Sequence, residues 1–320
     1  MKHNPLISVV VPTFNRQKTI LYCLTSVLAQ TYNNIEVIIV DDCSTDSTVA
    51  IINNYTDPRI RCIVLEKNSG AQAARNRGII AAKGEWIAFQ DSDDEWLPEK
   101  LEKQVAAIAT VNYDPWVVVH SNAFRYDPVR KKKKLWLLPI VEGVDQYSSL
   151  FKSPAPLYPT ILVSKIALEK IEYLDENVPS YQELDTSIRL AKYCKFIHIK
   201  DPLMIYHIGD SHAISGDALK NIEGWYYNIN KHEGDIKKFC GEEAWQKLVI
   251  QLLRRCLNFG LTEHYDRYRS RLAMSNNDLF EMVYLILCRK FCVSADNMLY
   301  RFTLKIYHIF KKYRYLENLK

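Results

Sequence analysis

Short apolar runs recur at regular intervals through the first part of the chain. Residues 7–11, 35–40, 60–65 and 86–90 are nearly continuously apolar, and polar or turn-forming residues follow each run. Such runs are typical of strands that are buried on both faces of a parallel sheet. The pattern therefore predicts four strands.

A helical pattern fills each interval between these strands. Apolar residues recur at helical spacing over 20–28, and an alanine-rich helix is predicted over 71–83, where Gly84 ends it. Ser44 and Thr45 are expected to cap a third helix, between the second and third strands. Alternating strands and helices predict an α/β fold with a Rossmann-like, mostly parallel sheet flanked by helices.

Beyond Pro98 the order of elements is less regular. We predict a helix over 100–111, a strand over 116–120 and a helix around 181–193. From about residue 217 the pattern is helical and rich in tyrosine. The predicted domains are a catalytic domain, with halves of about 1–97 and 98–215, and a carboxyl-terminal helical appendage over 216–320.

The composition is ordinary for a soluble globular protein: 320 residues, 48% hydrophobic and 25% charged, with a net charge of +5. This mild charge gives no reason to expect nucleic acid as a partner. No run approaches the roughly 18–20 apolar residues that cross a bilayer, and we expect no signal peptide. The eight cysteines are scattered without CxxC pairs. We therefore expect reduced, structural cysteines and a cytoplasmic location.

Acidic residues follow two of the predicted strands. Asp41 and Asp42 come after the second strand, and the cluster 91–94 (DSDD) comes after the fourth. Ligands of open α/β sheets bind beyond the carboxyl ends of the strands. Clustered like charges cost free energy unless a cation offsets them, and oxygen ligands select Mg²⁺ or Mn²⁺ rather than Zn²⁺. The alternative is an acidic turn that caps the helix starting near Pro98.

Four segments in the same order carry a resemblance to a known family: 8–16 (SVVVPTFNR), 40–46 (VDDCSTD), 74–78 (ARNRG) and 89–96 (FQDSDDEW). They resemble the motifs of the family 2 glycosyltransferases of GT-A fold, and the resemblance extends more weakly to about residue 215. It implies an inverting transferase that moves a sugar from a nucleotide-diphosphate donor, with UDP the expected nucleotide. The implied acceptor is a carbohydrate, expected to be lipid-linked at the cytoplasmic membrane face, in bacterial surface polysaccharide synthesis.

The resemblance also implies a nucleobase pocket. Its residues would be Pro12, Thr13, Phe14 and Asn15 together with Asp42, whose carboxylate would accept the N3–H of uracil. From the sequence alone, the favoured interpretation of Asp42 is a helix-capping acid.

The diphosphate and metal residues are implied in the same way. Arg75 would lie near the donor diphosphate, although a surface arginine on a helix is the alternative. Asp91 would contact the ribose or sugar and also be a ligand of the metal, and Ser92 would bind the donor. Asp93 would be the principal ligand of Mn²⁺ or Mg²⁺. The cation would stabilise charge on the departing nucleoside diphosphate. His207 or His212, in a distorted version of a family segment, would complete this site, unless they are loop histidines without such a role.

An inverting transfer needs a general base that takes the proton of the acceptor hydroxyl. The family places this carboxylate in an acidic pair that opens a helix, and the matching segment here is 182–185 (QELD). Glu183 is therefore the predicted base, and Asp185 is the second candidate. Glu183 stands where the family usually has Asp, and Gln182 replaces the preceding acid. The alternative is an acid favoured by the helix macrodipole.

Two basic segments stand out. Residues 301–320 combine apolar side chains at helical spacing with interleaved lysine and arginine, so they could lie on an anionic membrane or pack on the catalytic domain. The charge run 130–134 is typical of a solvated loop or hairpin tip.

Two other function classes compete with a glycosyltransferase. A nucleotidyltransferase would need a glycine-rich phosphate loop after the first strand, where this chain has PTFNR. A sugar-binding protein without catalysis would keep the fold, but the intact acidic cluster and Glu183 argue against it.

Overall fold

A β-sheet organises the first of two compact units of the chain, Met1–Gly216, and the described part of the second unit, Asp217–Lys320, is helical. The computed structural model describes residues 3–143, 146–151, 156–208 and 217–270. The predicted tail helix over 301–320 and His212 lie outside the described residues.

The nine strands found in the described residues are β1 (Ile7–Thr13), β2 (Ile35–Asp41), β3 (Ile60–Val64), β4 (Trp86–Phe89), β5 (Glu95–Trp96), β6 (Val117–Asp127), β7 (Lys132–Trp136), β8 (Leu162–Ser164) and β9 (Lys195–His207). They are hydrogen-bonded in the order β3-β2-β1-β4-β8-β6-β9-β5, and β7 pairs with β6. The pairs β1–β2, β2–β3, β1–β4 and β6–β9 are parallel, and these contain most of the paired residues. The remaining four pairs are antiparallel.

The helices in the described residues are α1 (Ile20–Leu28), α2 (Thr48–Asn53), α3 (Ala71–Ala81), α4 (Lys100–Ala109), α5 (Gln146–Ser149), α6 (Lys165–Lys170), α7 (Gln182–Leu190), α8 (Ala218–Lys231), α9 (Glu233–Cys240), α10 (Glu242–Asn258) and α11 (Thr262–Arg269). A 3₁₀ turn, Tyr158–Thr160, precedes β8. Helices α8 to α11 form the described part of the second unit. None of the helices that the structure describes is both long and apolar enough to span a membrane.

The predicted α/β fold is confirmed, and the four predicted strands correspond to β1–β4. Every residue of β1 is buried, as expected for a strand with neighbours on both edges and covered faces. Helix α3 packs closely on this strand, because a Cβ at Gly78 would collide with the side chain of Val10. Arg75 lies one turn earlier on the same helix, so this close approach fixes its position near the strand ends.

Two local predictions were wrong. Ser44 and Thr45 do not cap a helix: α2 begins at Thr48, and Ser44 instead donates its hydroxyl to Oδ2 of Asp41 at 2.6 Å. Gly84 does not end α3, which stops at Ala81. The glycine is required for packing, since a Cβ there would lie 2.6 Å from Oγ of Ser8.

The second half of the sheet contains elements that the hydrophobic pattern did not predict. The predicted strand at 116–120 is the start of β6, which continues to Asp127 and turns back into β7. Strand β9 runs beside β6 with irregular register around Asn122. Helix α7 corresponds to the helix predicted around 181–193.

Candidate functional site

The predicted donor-site residues meet at one edge of the sheet. Strands β1, β2 and β4 are parallel neighbours, with Thr13 in register with Asp41 and Val10 with Phe89. The loops after these strands therefore emerge side by side. They carry residues 12–15, Asp42 and the cluster 91–94.

Asn15 joins the loops that follow β1 and β2. It lies in the left-handed region at φ 53°, a conformation that asparagine tolerates better than most residues. Its backbone N–H donates to Oγ of Ser44 at 2.8 Å, and its Oδ1 accepts the N–H of Thr45 at 2.8 Å. Pro12 and Thr13 are buried at the end of β1, whereas the Phe14 side chain is exposed. The loop is thus rigidly held with an aromatic face open to solvent.

Asp42 is buried and holds the loop that precedes α3. Its Oδ1 accepts the N–H of Ser69 at 2.7 Å, and its Oδ2 accepts the N–H of Gly70 at 2.8 Å. Gly70 is the N-cap residue of α3, so Asp42 anchors the start of that helix from across the sheet edge. A carboxylate has about four lone-pair sites, so these two bonds leave acceptor capacity on the same side chain.

Arg75 is buried and bonded to the acidic cluster. Its Nη2 lies 2.6 Å from Oδ1 of Asp91, and its guanidinium carbon lies 4.3 Å from the ring centroid of Tyr158. Burial lowers the pKa of Arg75, but the negative charge of Asp91 and interactions with Tyr158 and Glu183 outweigh it, so the pKa is raised. The interpretation of Arg75 as a surface residue is wrong, because α3 turns this face onto the sheet edge.

Asp93 has a second arginine beside it. Nη2 of Arg16 lies 3.4 Å from Oδ2 of Asp93, and the hydroxyl of Tyr22 donates to the backbone carbonyl of Asp93 at 2.7 Å. The side chains of Asp91 and Asp93 are partly exposed, whereas Ser92 and Asp94 are buried. Burial, with the charges of Asp93 and Asp91, raises the pKa of Asp94 well above its ordinary value. Asp91 and Asp93 are therefore the carboxylates that a solvent-borne cation can reach.

His207 is near the cluster but bonded elsewhere. Its Nε2 lies 2.7 Å from Oε1 of Glu95, and its backbone N–H donates to Oδ1 of Asp94 at 3.0 Å. Among the described residues, no three His, Cys, Asp or Glu side chains are grouped so as to hold a metal ion. The structure therefore does not bring His207 together with Asp91 and Asp93 as a ready-made three-ligand site.

The donor set nevertheless fits a hard cation. Mg²⁺ usually binds to one or two carboxylates and completes its shell with water and substrate phosphates. Asp91 and Asp93 are two partly exposed carboxylates on one turn. A magnesium site of this kind needs only one or two protein carboxylates. The pair Asp91 and Asp93 therefore fits it, although no group of three ligands is found among the described residues.

The two candidate bases on α7 differ in their surroundings. Asp185 is fully buried and pairs with Arg189, whose Nη1 lies 3.4 Å from its Oδ2. Glu183 is partly exposed and is close enough to Arg75 and Asp91 to interact with their charges. Burial raises the pKa of Glu183, Arg75 opposes this effect, and Asp91 adds to it. A raised pKa is what a carboxylate needs to accept a proton near neutral pH.

Three residues outside the predicted site surround it. Gln182 Oε1 accepts from Nη1 of Arg75 at 3.4 Å, and the Tyr158 hydroxyl donates to the Gln182 carbonyl at 3.3 Å, so both connect α7 to the donor side. Arg16 is the third, and its place in the PTFNR segment was an available signal. Tyr158 stands outside every motif, so no sequence pattern could have identified it.

The chain is similar to known bacterial enzymes. The profile described as "Glycosyl transferase family 2" matches residues 8–161. The UDP-Glc:alpha-D-GlcNAc-diphosphoundecaprenol beta-1,3-glucosyltransferase WfaP of Escherichia coli is 46% identical over 270 residues, which cover 83% of this chain and 98% of the relative. The putative colanic acid biosynthesis glycosyl transferase WcaA of Escherichia coli K12 is 30% identical over 273 residues, covering 79% of this chain and 90% of the relative.

A solved structure shares the fold. The mannosyltransferase PcManGT from Pyrobaculum calidifontis, in complex with GDP-Man and Mn²⁺, superimposes with a TM-score of 0.60 at 18% identity. The match covers 94% of this chain and 83% of that chain. At this identity the likeness shows the architecture alone.

Proposed function

We propose that this chain, which belongs to glycosyl transferase family 2 and has the GT-A fold, transfers a sugar from a UDP-sugar donor to a lipid-linked acceptor. The transfer inverts the configuration at the anomeric carbon. One observation carries the proposal: Gln182, the neighbour of Glu183 on α7, accepts a hydrogen bond from Arg75 at 3.4 Å, and Arg75 also lies 2.6 Å from Asp91. These contacts hold the start of α7, and with it Glu183, at the edge where the donor loops meet. This arrangement combines a proton acceptor with groups suited to a charged leaving group.

The donor and acceptor are proposed from the relative of greater identity. WfaP is named for transfer from UDP-Glc to GlcNAc-diphosphoundecaprenol, and it matches this chain at 46% identity over nearly its whole length. We therefore propose UDP-glucose as the first donor to test and a GlcNAc-diphospholipid as the acceptor. Such an acceptor implies work at the cytoplasmic face of a membrane.

The nucleotide would lie along the loops after β1 and β2. Phe14 offers an exposed ring for contact with the base, and Asp42 has lone pairs left after it binds Ser69 and Gly70. Asn15 holds the two loops together through Ser44 and Thr45 and so fixes the pocket. These residues act by binding and orientation rather than by chemistry.

The diphosphate would lie between the arginines and the acidic cluster. Arg75 and Arg16 each have a guanidinium next to a carboxylate, at 2.6 Å and 3.4 Å. Guanidinium groups bind phosphate oxygens through paired, charge-assisted hydrogen bonds. Asp91 and Asp93 would hold Mn²⁺ or Mg²⁺, which neutralises charge on the departing diphosphate when bound.

Glu183 would act at the acceptor. Its carboxylate accepts the proton of the acceptor hydroxyl as that oxygen forms a bond to the anomeric carbon, and the bond from that carbon to the diphosphate oxygen breaks. Arg75 keeps Glu183 more readily ionised than burial alone would allow, because it lowers the pKa of that group. Tyr158 and Gln182 hold Arg75 from the side of α7.

The test is transfer in a defined system. Purified protein is incubated with UDP-glucose, a synthetic GlcNAc-diphospholipid and Mn²⁺, and the product is identified by mass spectrometry. We expect one hexose to be added, with loss of the reaction on chelation and with Glu183→Gln. If transfer continues at the same rate after the metal is chelated, the proposed metal site is wrong. If no hexose is transferred from UDP-, GDP- or dTDP-hexoses, the proposed donor class is wrong.

A further inference from the structure

The β6–β7 hairpin concentrates positive charge. We call residues 125–137 the basic hairpin; they include six cationic side chains and one carboxylate, a net charge of +5 that equals the net charge of the whole chain. Strands β6 and β7 pair in antiparallel fashion, with Ala123 opposite Trp136 at one end and Asp127 opposite Lys132 at the other. Residues 128–131 form the turn between them. Among the described strands, β7 pairs only with β6, so its other edge has no partner strand there.

Ion pairing compensates little of this charge. Nη1 of Arg130 lies 3.5 Å from Oδ2 of Asp127. Within the described part of the chain, no carboxylate lies at ion-pair distance from Arg125 or from the four lysines 131–134. All five of these side chains are exposed. Like charges at this density repel one another, so an anionic partner would relieve a cost that the isolated protein carries.

Exposed apolar side chains flank the cations. Val129 at the turn is 91% exposed, and Leu135 and Leu137 are 55% and 69% exposed. Single exposed apolar residues are normal on protein surfaces, but here three lie within one short basic segment. Cations mixed with exposed aliphatic side chains are typical of segments that lie in the membrane interface. A nucleic acid would use the charge but gain nothing from the aliphatic groups.

The basic hairpin begins beside the candidate site. Tyr126 contacts His207, with ring centroids 5.2 Å apart, and the His207 N–H donates to Asp94 at 3.0 Å. The turn begins two residues beyond Tyr126, which is roughly 7 Å along an extended strand. A surface bound at the turn would therefore lie within a short distance of the acidic cluster.

We propose that the basic hairpin docks on an anionic lipid bilayer, with its lysines among the headgroups and Val129, Leu135 and Leu137 in the interface. Docking would bring the acidic cluster to the level of the headgroups, where the diphosphate of a lipid-linked acceptor lies. Only this consequence depends on the proposed function; binding to lipid does not.

The test uses the full-length chain and vesicles without donor or acceptor. Sedimentation is measured with phosphatidylcholine vesicles and with vesicles that also contain phosphatidylglycerol. We expect binding to the anionic vesicles alone, weakened by salt because the charges are exposed. Replacing the four lysines 131–134 by Gln should lower the partition coefficient several-hundred-fold, since each basic residue contributes about fivefold, or about 1 kcal/mol.

A matched variant controls for net charge. Arg77, Lys83, Lys195 and Lys200 are exposed and outside the basic hairpin, so their replacement by Gln removes the same charge from other surfaces. This control should keep most of its vesicle binding. Equal binding by the two variants would overturn the proposal, as would binding of the unmodified protein to RNA but not to anionic vesicles.

A second pair of variants tests the apolar side chains. The first is a triple variant in which Val129, Leu135 and Leu137 are replaced by Ser, and it should bind anionic vesicles at least tenfold more weakly. The control is a triple variant in which Val64, Ile80 and Ile166, which are 51–54% exposed, are replaced by Ser. It should bind the vesicles as the parent does. Transfer to a water-soluble acceptor should be unchanged in the hairpin variants. Loss of that transfer together with vesicle binding would show that the segment supports the fold or the site rather than docking.

Discussion

Replacing Glu183 by Gln separates its proposed chemistry from any role in the fold. The amide keeps the shape of the side chain but cannot accept a proton. General-base catalysis contributes about 10²–10⁴-fold, which corresponds to roughly 3–5 kcal/mol of barrier, so turnover should fall by that factor. Binding of UDP-sugar should change little, because Glu183 lies on α7 and not on the donor loops.

The same substitution should stabilise the folded protein at neutral pH. Burial raises the pKa of Glu183, and Arg75 only partly opposes the effect. A group with a raised folded-state pKa contributes stability below its unfolded pKa and loses it as pH rises through the folded pKa. The parent protein at pH 8 therefore has to keep a partly buried Glu183 ionised, whereas the neutral amide of the Glu183→Gln variant carries no charge at that position. The melting temperature of Glu183→Gln should exceed that of the parent at pH 8, and the difference should shrink toward pH 4.

Asp185→Asn is the matched control on the same helix. Asp185 is fully buried and pairs with Arg189 at 3.4 Å. Removing its charge should therefore destabilise the fold by about 3 kcal/mol. This is the lower end of the range for a broken buried ion pair, because Arg189 is partly exposed. Turnover per folded molecule should fall less than in Glu183→Gln. An inactive Asp185→Asn beside an active Glu183→Gln would mean that the wrong carboxylate was assigned as the base. A destabilised Glu183→Gln would refute the electrostatic reasoning.

Three further substitutions test the donor side. Asp93→Asn should reduce metal-dependent turnover by about 10³-fold or more, since an amide cannot offset the charge of the cation; a Mn²⁺ titration with unaltered turnover would contradict this. Asp42→Ala should raise the donor KM and lower the melting temperature, because two loop N–H groups lose their acceptor, at about 1–3 kcal/mol each if they stay buried; a donor KM equal to that of the parent would remove Asp42 from the pocket. Arg16→Gln should raise the donor KM roughly tenfold, or about 1.4 kcal/mol, with a smaller change in kcat; the reverse pattern would place Arg16 outside the diphosphate site.

The apolar pattern predicts the first half of the sheet because both faces of those strands are covered. Strands β1 and β2 read as continuous apolar runs for that reason. Strand β9 contains Lys, Asp and Pro and is partly exposed, so its sequence lacks both a continuous run and clean alternation. Strand β7 begins with three exposed lysines and forms only because it pairs with β6. Its charge run predicts either a solvated loop or a hairpin tip, and only the pairing with β6 decides for the hairpin.

The motifs predict which loops form the candidate site, but not how their side chains pair. Glu95 meets His207 because β5 and β9 are antiparallel, with Glu95 in register with Ile205. The sequence separates those residues by more than a hundred positions, and nothing local indicates the pairing. The hydrogen bonds from Ser69 and Gly70 to Asp42 could not be predicted from the sequence either, because their donors are backbone N–H groups, which every residue except proline has.

The anomeric configuration of the product tests the central claim most directly. The protein is given UDP-α-D-glucose labelled with ¹³C at the anomeric carbon, Mn²⁺ and a GlcNAc-diphospholipid, and the product is examined by NMR through its one-bond carbon–hydrogen coupling. A single displacement assisted by Glu183 inverts the carbon, so we predict a β-linked product that Glu183→Gln forms at least about 100-fold more slowly. An α-linked product would contradict the proposed mechanism, because one in-line attack on an α donor cannot produce it.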